Sequence, residues 1–376
     1  MGDRHRDRHL LALLKSSLLL VSSLAACRAS EVSTPKPQVQ IAPLWIALQP
    51  GDSTRFTATV LGPAGDTVAA PAVTWSSSAP GVAEVDASGT VRARAVGVAT
   101  VTVSFQGGFA GAAIAVTPAV LVGAGDIASC SYADDEATGR LLDSIRGVVF
   151  TAGDDAYPNG TVDDFAHCYD PTWGRHKSRT RPAIGNHDFR TDAGAPYYAY
   201  FGAAAGDSGL GYYSYDLAGW HVIVLNSNLS VSAGSPQNVW LHADLSAHSA
   251  TCTVAYWHHP RFSSGEHGNS SDMEAAWQAL YDANGDVVIS AHDHTYERFA
   301  PQTPTGALDT TRGIREFVAG TGGSDFYAFT SIRANSQVRI NTVHGVLKLT
   351  LYPSSYEWAF IGTDRVVYDS GTGSCH

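Results

Sequence analysis

The chain has 376 residues, 44% hydrophobic and 16% charged, which excludes a disordered protein and exceeds what one small core holds. Its formal net charge of −11 argues against a nucleic-acid scaffold or an anionic membrane face as the main partner. Two domains are expected.

Residues 1–26 read as an export signal. Arg4, Arg6, Arg8 and Lys15 give a basic start, and SLLLVSSLAA gives a short apolar stretch ending in small residues. At roughly ten residues it falls short of the ~20 that a spanning helix needs. Leu24-Ala25-Ala26-Cys27 is similar to the bacterial lipobox, which implies that Cys27 becomes the lipidated first residue and anchors the protein to a membrane. The expected location is the cell envelope, on its periplasmic or extracellular face.

Residues 27–38 form a Pro/Ser-containing linker, and residues 39–118 read as all-β. In TRFTATV, Phe56, Ala58 and Val60 alternate with polar neighbours, as a half-buried strand requires. The stretch VTWSSSAPGVAEVDASGTVRARAVGVATVTVSF adds three strand-like runs punctuated by Ala-Pro-Gly, Ser-Gly and Val-Gly. About 80 residues of short strands fit a small sandwich. TWSSS, VAEVD, SGTV and GVATVTV stand in the order of bacterial Ig-like (group 2) domains. That resemblance implies a spacer or adhesion module in contact with the cell surface or wall.

From Ala119 to the C-terminus, apolar runs alternate with helix-compatible segments, the pattern of an α/β layer: AVLVGAGD, DEATGRLLDSI, GVVFTAGDDAY, WHVIVLNSN, TVAYWHHP, MEAAWQALYDA, DVVISAHDH and REFVAGTGG. YYSYDL before WHVIVLN suggests an antiparallel pair, and GVLKLTLYP with YEWAFIG a closing hairpin. In such sheets functional groups gather beyond the carboxyl ends of strands. Five apolar runs here end in metal-capable residues: Gly125-Asp126, Gly153-Asp154-Asp155-Ala156-Tyr157, Gly185-Asn186-His187-Asp188, His258-His259-Pro260 and His292-Asp293-His294. Any one of them reads as a turn or a helix cap. Together they supply the oxygen and imidazole donors that suit iron, zinc or manganese. In extended chain, the imidazoles of His292 and His294 point the same way and serve two neighbouring ions. Asp154 and Tyr157, three apart across a turn, can reach one ion.

The order GD…GDxxY…GNHD…HxP…HxH resembles calcineurin-like metallophosphoesterases, and specifically their purple acid phosphatase-like branch. The resemblance implies two mixed β-sheets packed together and flanked by helices. General members carry Asp-x-His in the first motif, where this chain has Ala128; the purple acid phosphatase-like branch uses the tyrosine of GDxxY instead, here Tyr157. It further implies that Asp126, Asp154, Tyr157 and His294 hold a first metal, and that Asp154 bridges to a second held by Asn186, His258 and His292. Two carboxylates and a phenolate suit Fe(III); an amide oxygen and two imidazoles suit a divalent Zn, Mn or Fe ion. The implied reaction is hydrolysis of a small phosphorylated substrate by metal-bound hydroxide, with His187 contacting the phosphoryl oxygens. His267 is the expected proton donor to the leaving group, with His259 as an alternative that reads better as structural. A phosphodiesterase or nucleotidase would share this site; a non-catalytic surface adhesin would not retain the ligands.

RHKSRTR, Arg175 to Arg181, reads either as an attractor for an anionic substrate or as a solvated basic face. Gly320-Thr321-Gly322-Gly323 lacks the GKS/T ending of a phosphate loop and reads as a strand-to-loop turn. With Cys27 assigned to lipid, four cysteines remain for two disulfides. Cys130 and Cys168 follow strand ends, whereas Cys252 precedes its strand, six residues before His258, and so sits about 20 Å from the site at ~3.3 Å per residue. Bridged Cα atoms lie within about 7 Å, so Cys130 should pair with Cys168 and Cys252 with Cys375.

Overall fold

A computed structural model describes residues 36–376, so the expected export signal and Cys27 lie outside the described residues. Strands β1 (Gln38–Ala42) and β4 (Thr57–Leu61) pair antiparallel. β2 (Trp45–Leu48), β9 (Gly108–Val116), β8 (Gly97–Phe105) and β5 (Thr74–Ser77) form a four-stranded sheet. β3 (Ser53–Arg55), β7 (Thr90–Ala93) and β6 (Ala83–Val85) form a three-stranded one. Phe56, Val60, Val91, Val101, Val103 and Ile114 meet in the core between them. Thr57 and Thr59 face outward, so the alternation in TRFTATV places its apolar set inside. The VTWSSS–VTVSF stretch holds four strands rather than the expected three. Each of its punctuating dipeptides closes one strand and opens the next. At the Ser-Gly turn, Gly89 takes φ 83° and the Asp86 carboxylate accepts the N–H groups of Ser88 and Thr90.

Two larger sheets follow. The first runs in the order β14 (Thr180–Ala183), β12 (Val148–Ala152), β10 (Ala119–Ala124), β22 (Gly345–Tyr352), β23 (Ser355–Gly362) and β24 (Val367–Ser374). The second runs β15 (Tyr213–Leu217), β16 (Trp220–Val224), β17 (Cys252–Tyr256), β18 (Val287–Ser290), β20 (Arg315–Ala319), β19 (Tyr296–Phe299) and β21 (Ser336–Ile340). Both sheets are mixed: β10, β12 and β14 are parallel, as are β16, β17, β18 and β20, while antiparallel strands extend both. Leu121, Phe150, Val254, Ile289, Phe317 and Leu349 pack in the core that the two sheets share.

The outer faces are covered by helices. Leu141 and Leu142 of the helix Asp134–Ser144 pack on Val122 and Val149. Leu241 of Pro236–Ala247, with Trp277 and Leu280 of Glu274–Asp282, packs on Ile223, Ala255 and Val288. Burial on both faces explains why the parallel strands read as unbroken apolar runs. The expected hairpin is β22–β23, and β24, which the sequence pattern does not reveal, pairs beside it. Its glycines are there because aromatic rings lie on them: a Cβ on Gly371 would sit 2.3 Å from Trp358, and one on Gly373 2.3 Å from Tyr356. Such a strand carries no apolar alternation to read.

Cys130 bonds Cys168 and Cys252 bonds Cys375, with Cα atoms 4.8 and 5.3 Å apart. The bridges close loops spanning 38 and 123 positions. In the chain-entropy account, removing them by Cys→Ser pairs should cost about 4 and about 5 kcal/mol. Denaturant unfolding of the two double variants measures this, and a loss below about 1 kcal/mol in either would show that its loop is constrained by other contacts.

Candidate metal centre

The carboxyl ends of five parallel strands converge. β10 leads into Asp126, β12 into Asp154, β14 into Asn186, β17 into His258, and β18 into His292 and His294. The turns are tight, and three non-glycine side chains adopt left-handed backbone there: Asp126 (φ 57°), Asp154 (φ 53°) and His292 (φ 69°). Such residues cost of order 1–3 kcal/mol each and persist where the surroundings over-determine them. His292 at positive φ corrects the expectation that the His-x-His segment is extended. The chain turns there, and the two rings go to opposite ends of one cluster.

At one end the Tyr157 hydroxyl lies 2.8 Å from Asp126 Oδ1, 3.1 Å from Asp154 Oδ2 and 3.1 Å from His294 Nε2. At the other, His258 Nε2 lies 2.9 Å from Asn186 Oδ1, 3.1 Å from His292 Nδ1 and 3.3 Å from Asp154 Oδ2. Asp154 Oδ2 belongs to both ends. Four further atoms of these groups are tied to backbone. Asp126 Oδ2 accepts the His292 N–H at 2.8 Å, and Asp154 Oδ1 accepts the His187 N–H at 2.7 Å. His258 Nδ1 meets the Ala152 carbonyl at 2.9 Å and His294 Nδ1 the Asp325 carbonyl at 2.6 Å. Donating there fixes the tautomer and turns each Nε2 lone pair into the cluster.

Asp126 and Asp154 are 0% and 1% exposed. Burial works to raise both carboxyls, but the nearby imidazoles, His294 first for Asp126 and His258 for Asp154, hold them below the ordinary range. Burial lowers His258, yet Asp154 and Asp126 outweigh it and push the imidazole up to about 9. Burial and then His258 push His292 far below its ordinary value. Burial followed by Asp126 and Asp154 holds the Tyr157 phenol well above 10. These are opposed demands in one small volume: two carboxylates, a phenol and one imidazole at one end, facing an amide and two imidazoles at the other. The donor set fits cations, which would let the carboxylates, the phenol and the ring lone pairs all face inward at once.

The other expected residues stand around this cluster. The His187 ring packs 4.5 Å from the Tyr157 ring, its Nδ1 on the Pro158 carbonyl and its Nε2 3.9 Å from Asp154 Oδ2. His267 stacks on His292 at 4.0 Å and is exposed at the rim. His259 meets Ser227 Oγ at 2.8 Å through Nδ1, and burial followed by His258 lowers it to about 3, which fits a neutral ring packed beside His292. RHKSRTR does not face the cluster. Arg175 pairs with Glu136 and Asp143, and Arg179 donates to the carbonyls of Leu142, Ile145 and Gly147, so both fasten the helix Asp134–Ser144.

Four residues outside the expected ligand and catalytic set support the cluster. Buried Asp188 accepts the N–H groups of Gly185, Asp155 and Ala156 at 3.0–3.1 Å, tying the second motif to the third. Asp293 accepts from Ser263 and from the N–H groups of His267 and Gly268, fixing the loop that carries His267. Both sit inside quoted motifs, which was the available signal. Tyr327 stacks on His294 at 3.9 Å and has no such signal. Gly320, read as a turn residue, lies against the cluster: a Cβ there would come 2.2 Å from the Asp293 carbonyl and 2.4 Å from Asp126 Oδ2.

Residues 36–116 match the bacterial Ig-like domain (group 2) family, and residues 118–296 match the calcineurin-like phosphoesterase family. Purple acid phosphatase 21 of Arabidopsis thaliana is 40% identical over 96 residues, 24% of this chain and 22% of that protein. Purple acid phosphatase 15 of the same plant is 27% identical over 205 residues, 45% of this chain and 38% of that protein. The chain thus matches well under half the length of these relatives. Among solved structures, a purple acid phosphatase from yellow lupin seeds (Lupinus luteus) aligns with TM-score 0.60 at 16% identity, covering 90% of this chain and 69% of that one. GAP50 of Plasmodium aligns with TM-score 0.54 at 14% identity, covering 69% and 90%. Residues 36–116 are thus similar to bacterial Ig-like domains and residues 118–296 to calcineurin-like phosphoesterases, in a fold shared with a purple acid phosphatase.

Proposed function

We propose that the chain is an exported dinuclear-metal phosphoesterase of the acid phosphatase type. The observation that carries this reading is the division of seven donor side chains into an anionic end and an imidazole end that share Asp154 Oδ2. Asp126, Asp154, Tyr157 and His294 would hold Fe(III), and Asp154, Asn186, His258 and His292 a divalent Zn, Mn or Fe ion. Bound ions would supply Lewis acidity toward the phosphoryl oxygens and lower the pKa of a coordinated water.

The chain's own groups do the rest. His187, 23% exposed and braced by the Pro158 carbonyl, faces outward beside the shared carboxylate, where it can hold a phosphoryl oxygen as charge develops. His267, at the rim and held through Asp293, is placed to give a proton to the leaving alkoxide. A small phosphorylated substrate suits an opening bordered by histidines and Tyr327. Export rests on the basic-apolar N-terminus and the two disulfides, and a lipid anchor on Cys27. No helix among the described residues is long and apolar enough to cross a membrane. The Ig-like domain would then serve as a spacer or as a contact to the cell surface.

Purified protein should carry two metal ions and release phosphate from p-nitrophenyl phosphate; fewer than two ions and no release would reject the reading. A phenolate–Fe(III) charge-transfer band is expected in the visible spectrum, and Tyr157→Phe should abolish it. An unchanged band in that variant would remove Tyr157 from the ligand set. His187→Ala should lower kcat by about 10²–10³ with metal content intact, the size of a lost oxyanion-stabilising donor. A Cβ at position 185 would lie 2.1 Å from both Asp154 N and Asp154 Oδ1. Gly185→Ala should therefore displace the bridging carboxylate and weaken metal retention at least tenfold on dialysis against a chelator, an effect the size of losing a ligand's support.

A further inference from the structure

We infer that Asp216, His221 and His248 form a second cation site, for zinc or a divalent ion of similar ligand preference, remote from the catalytic cluster. Asp216, next to last in β15, faces His221 directly across the antiparallel pair with β16. His221 stands at the level of Thr253 on β17, five residues before His258, so roughly 16 Å of strand separates it from the cluster. His248 caps the helix Pro236–Ala247 beside them. The candidate ligand atoms of the three residues lie within 4.8 Å of one another.

The argument turns on His221. Its ring is 1% exposed, and its Nε2 meets Asp244 Oδ2 at 2.7 Å. An imidazole that donates one N–H to a carboxylate keeps its other nitrogen as a lone pair, the arrangement that supports histidine ligands in metal sites. That other nitrogen, Nδ1, is buried and has no hydrogen-bond partner. Its nearest acidic neighbour is Asp216 Oδ1 at 3.8 Å, too far for a hydrogen bond. Two acceptors facing each other across that gap are close to the span of two bonds to one ion, at about 2.0–2.2 Å each.

Asp244 also supports the third ligand, because its carbonyl meets His248 Nδ1 at 2.8 Å and leaves Nε2 free. The two imidazoles are stacked, with centroids 3.9 Å apart. His248 is exposed, and coordination requires it to tilt out of that stack while His221 stays fixed. Two imidazoles and a carboxylate form a zinc-type donor set with a fourth position for water. The loop Pro50–Asp52 of the Ig-like domain borders the same crevice.

The test is zinc titration of tag-free protein carrying its catalytic ions, read by calorimetry and elemental analysis. One further zinc equivalent per chain is expected in the parent. Asp216→Asn/His248→Gln, a double substitution at exposed positions, should lose that equivalent and keep its p-nitrophenyl phosphate turnover. His221→Asn should lose it as well. The measured quantity is the difference between parent and variants, so it stands apart from whether the catalytic cluster is a phosphatase. Equal zinc uptake by parent and double variant, or no additional equivalent in the parent, would overturn the proposal.

Discussion

Everything around the cluster answers to one constraint: two carboxylates, Asp126 and Asp154, are buried together and, among the described residues, have only imidazoles as ion-pair partners. An isolated buried carboxylate neutralises itself rather than remain charged. Here the opposite happens, since neighbouring histidines hold both carboxyls acidic in spite of burial. The Tyr157 phenol, between them, is pushed up first by burial and then by the two carboxylates. A group of this kind is stable only if positive charge is available at its centre, and it is the positive charge of metal ions that would reconcile the phenol with its carboxylate neighbours.

Holding that arrangement requires backbone geometry that ordinary packing would not select. Asp126, Asp154 and His292 sit at positive φ, and each spends a carboxylate oxygen or a peptide N–H on a contact within the cluster. Gly185 and Gly320 let backbone approach the two carboxylates to distances no Cβ tolerates. Asp188 and Asp293, neither in the proposed ligand set, gather peptide N–H groups from neighbouring loops. The rigid part is the pair of sheets; the loops beyond them are stiffened by these acids rather than by apolar packing. This is how side chains from two different sheets converge on one shared oxygen.

Motif order carried most of what was legible beforehand. The five strand ends and both disulfides were readable because apolar runs, terminal acids and strand polarity are local properties; the pair of sheets came only from the resemblance that the motif order carries. The number of strands in VTWSSS–VTVSF and the existence of β24 were not. In the first case, glycine turns follow one another too closely to separate; in the second, the strand's inward face is glycine under Trp358 and Tyr356. The turn at His292 was also hidden, because alternation along His-x-His presumes an extended chain. RHKSRTR was ambiguous for a related reason: charge reports that a segment is basic, not which carbonyls its guanidinium groups reach. His221 and His248 share no motif at all, since their meeting depends on a strand, a turn and the end of a helix.

Ala128 shows how a substitution within a motif can be answered by backbone rather than by a neighbouring side chain. It lies fully buried in β11 (Ala128–Ser129), which pairs in parallel with β13 (Ala156–Tyr157), setting Ala128 beside Ala156 and Ser129 beside Tyr157. The pairing begins earlier: the N–H groups of Asp126, Ile127 and Ala128 bond the carbonyls of Gly153, Asp154 and Asp155 in succession. The segment after the first carboxylate is thus laced, residue by residue, to the segment that carries the second carboxylate and the phenol. Cys130 closes its far end through the bond to Cys168. The register of these strands delivers the Tyr157 hydroxyl to within 2.8 Å of Asp126. The tyrosine is distant in sequence and adjacent in space because this ladder sets the two segments side by side.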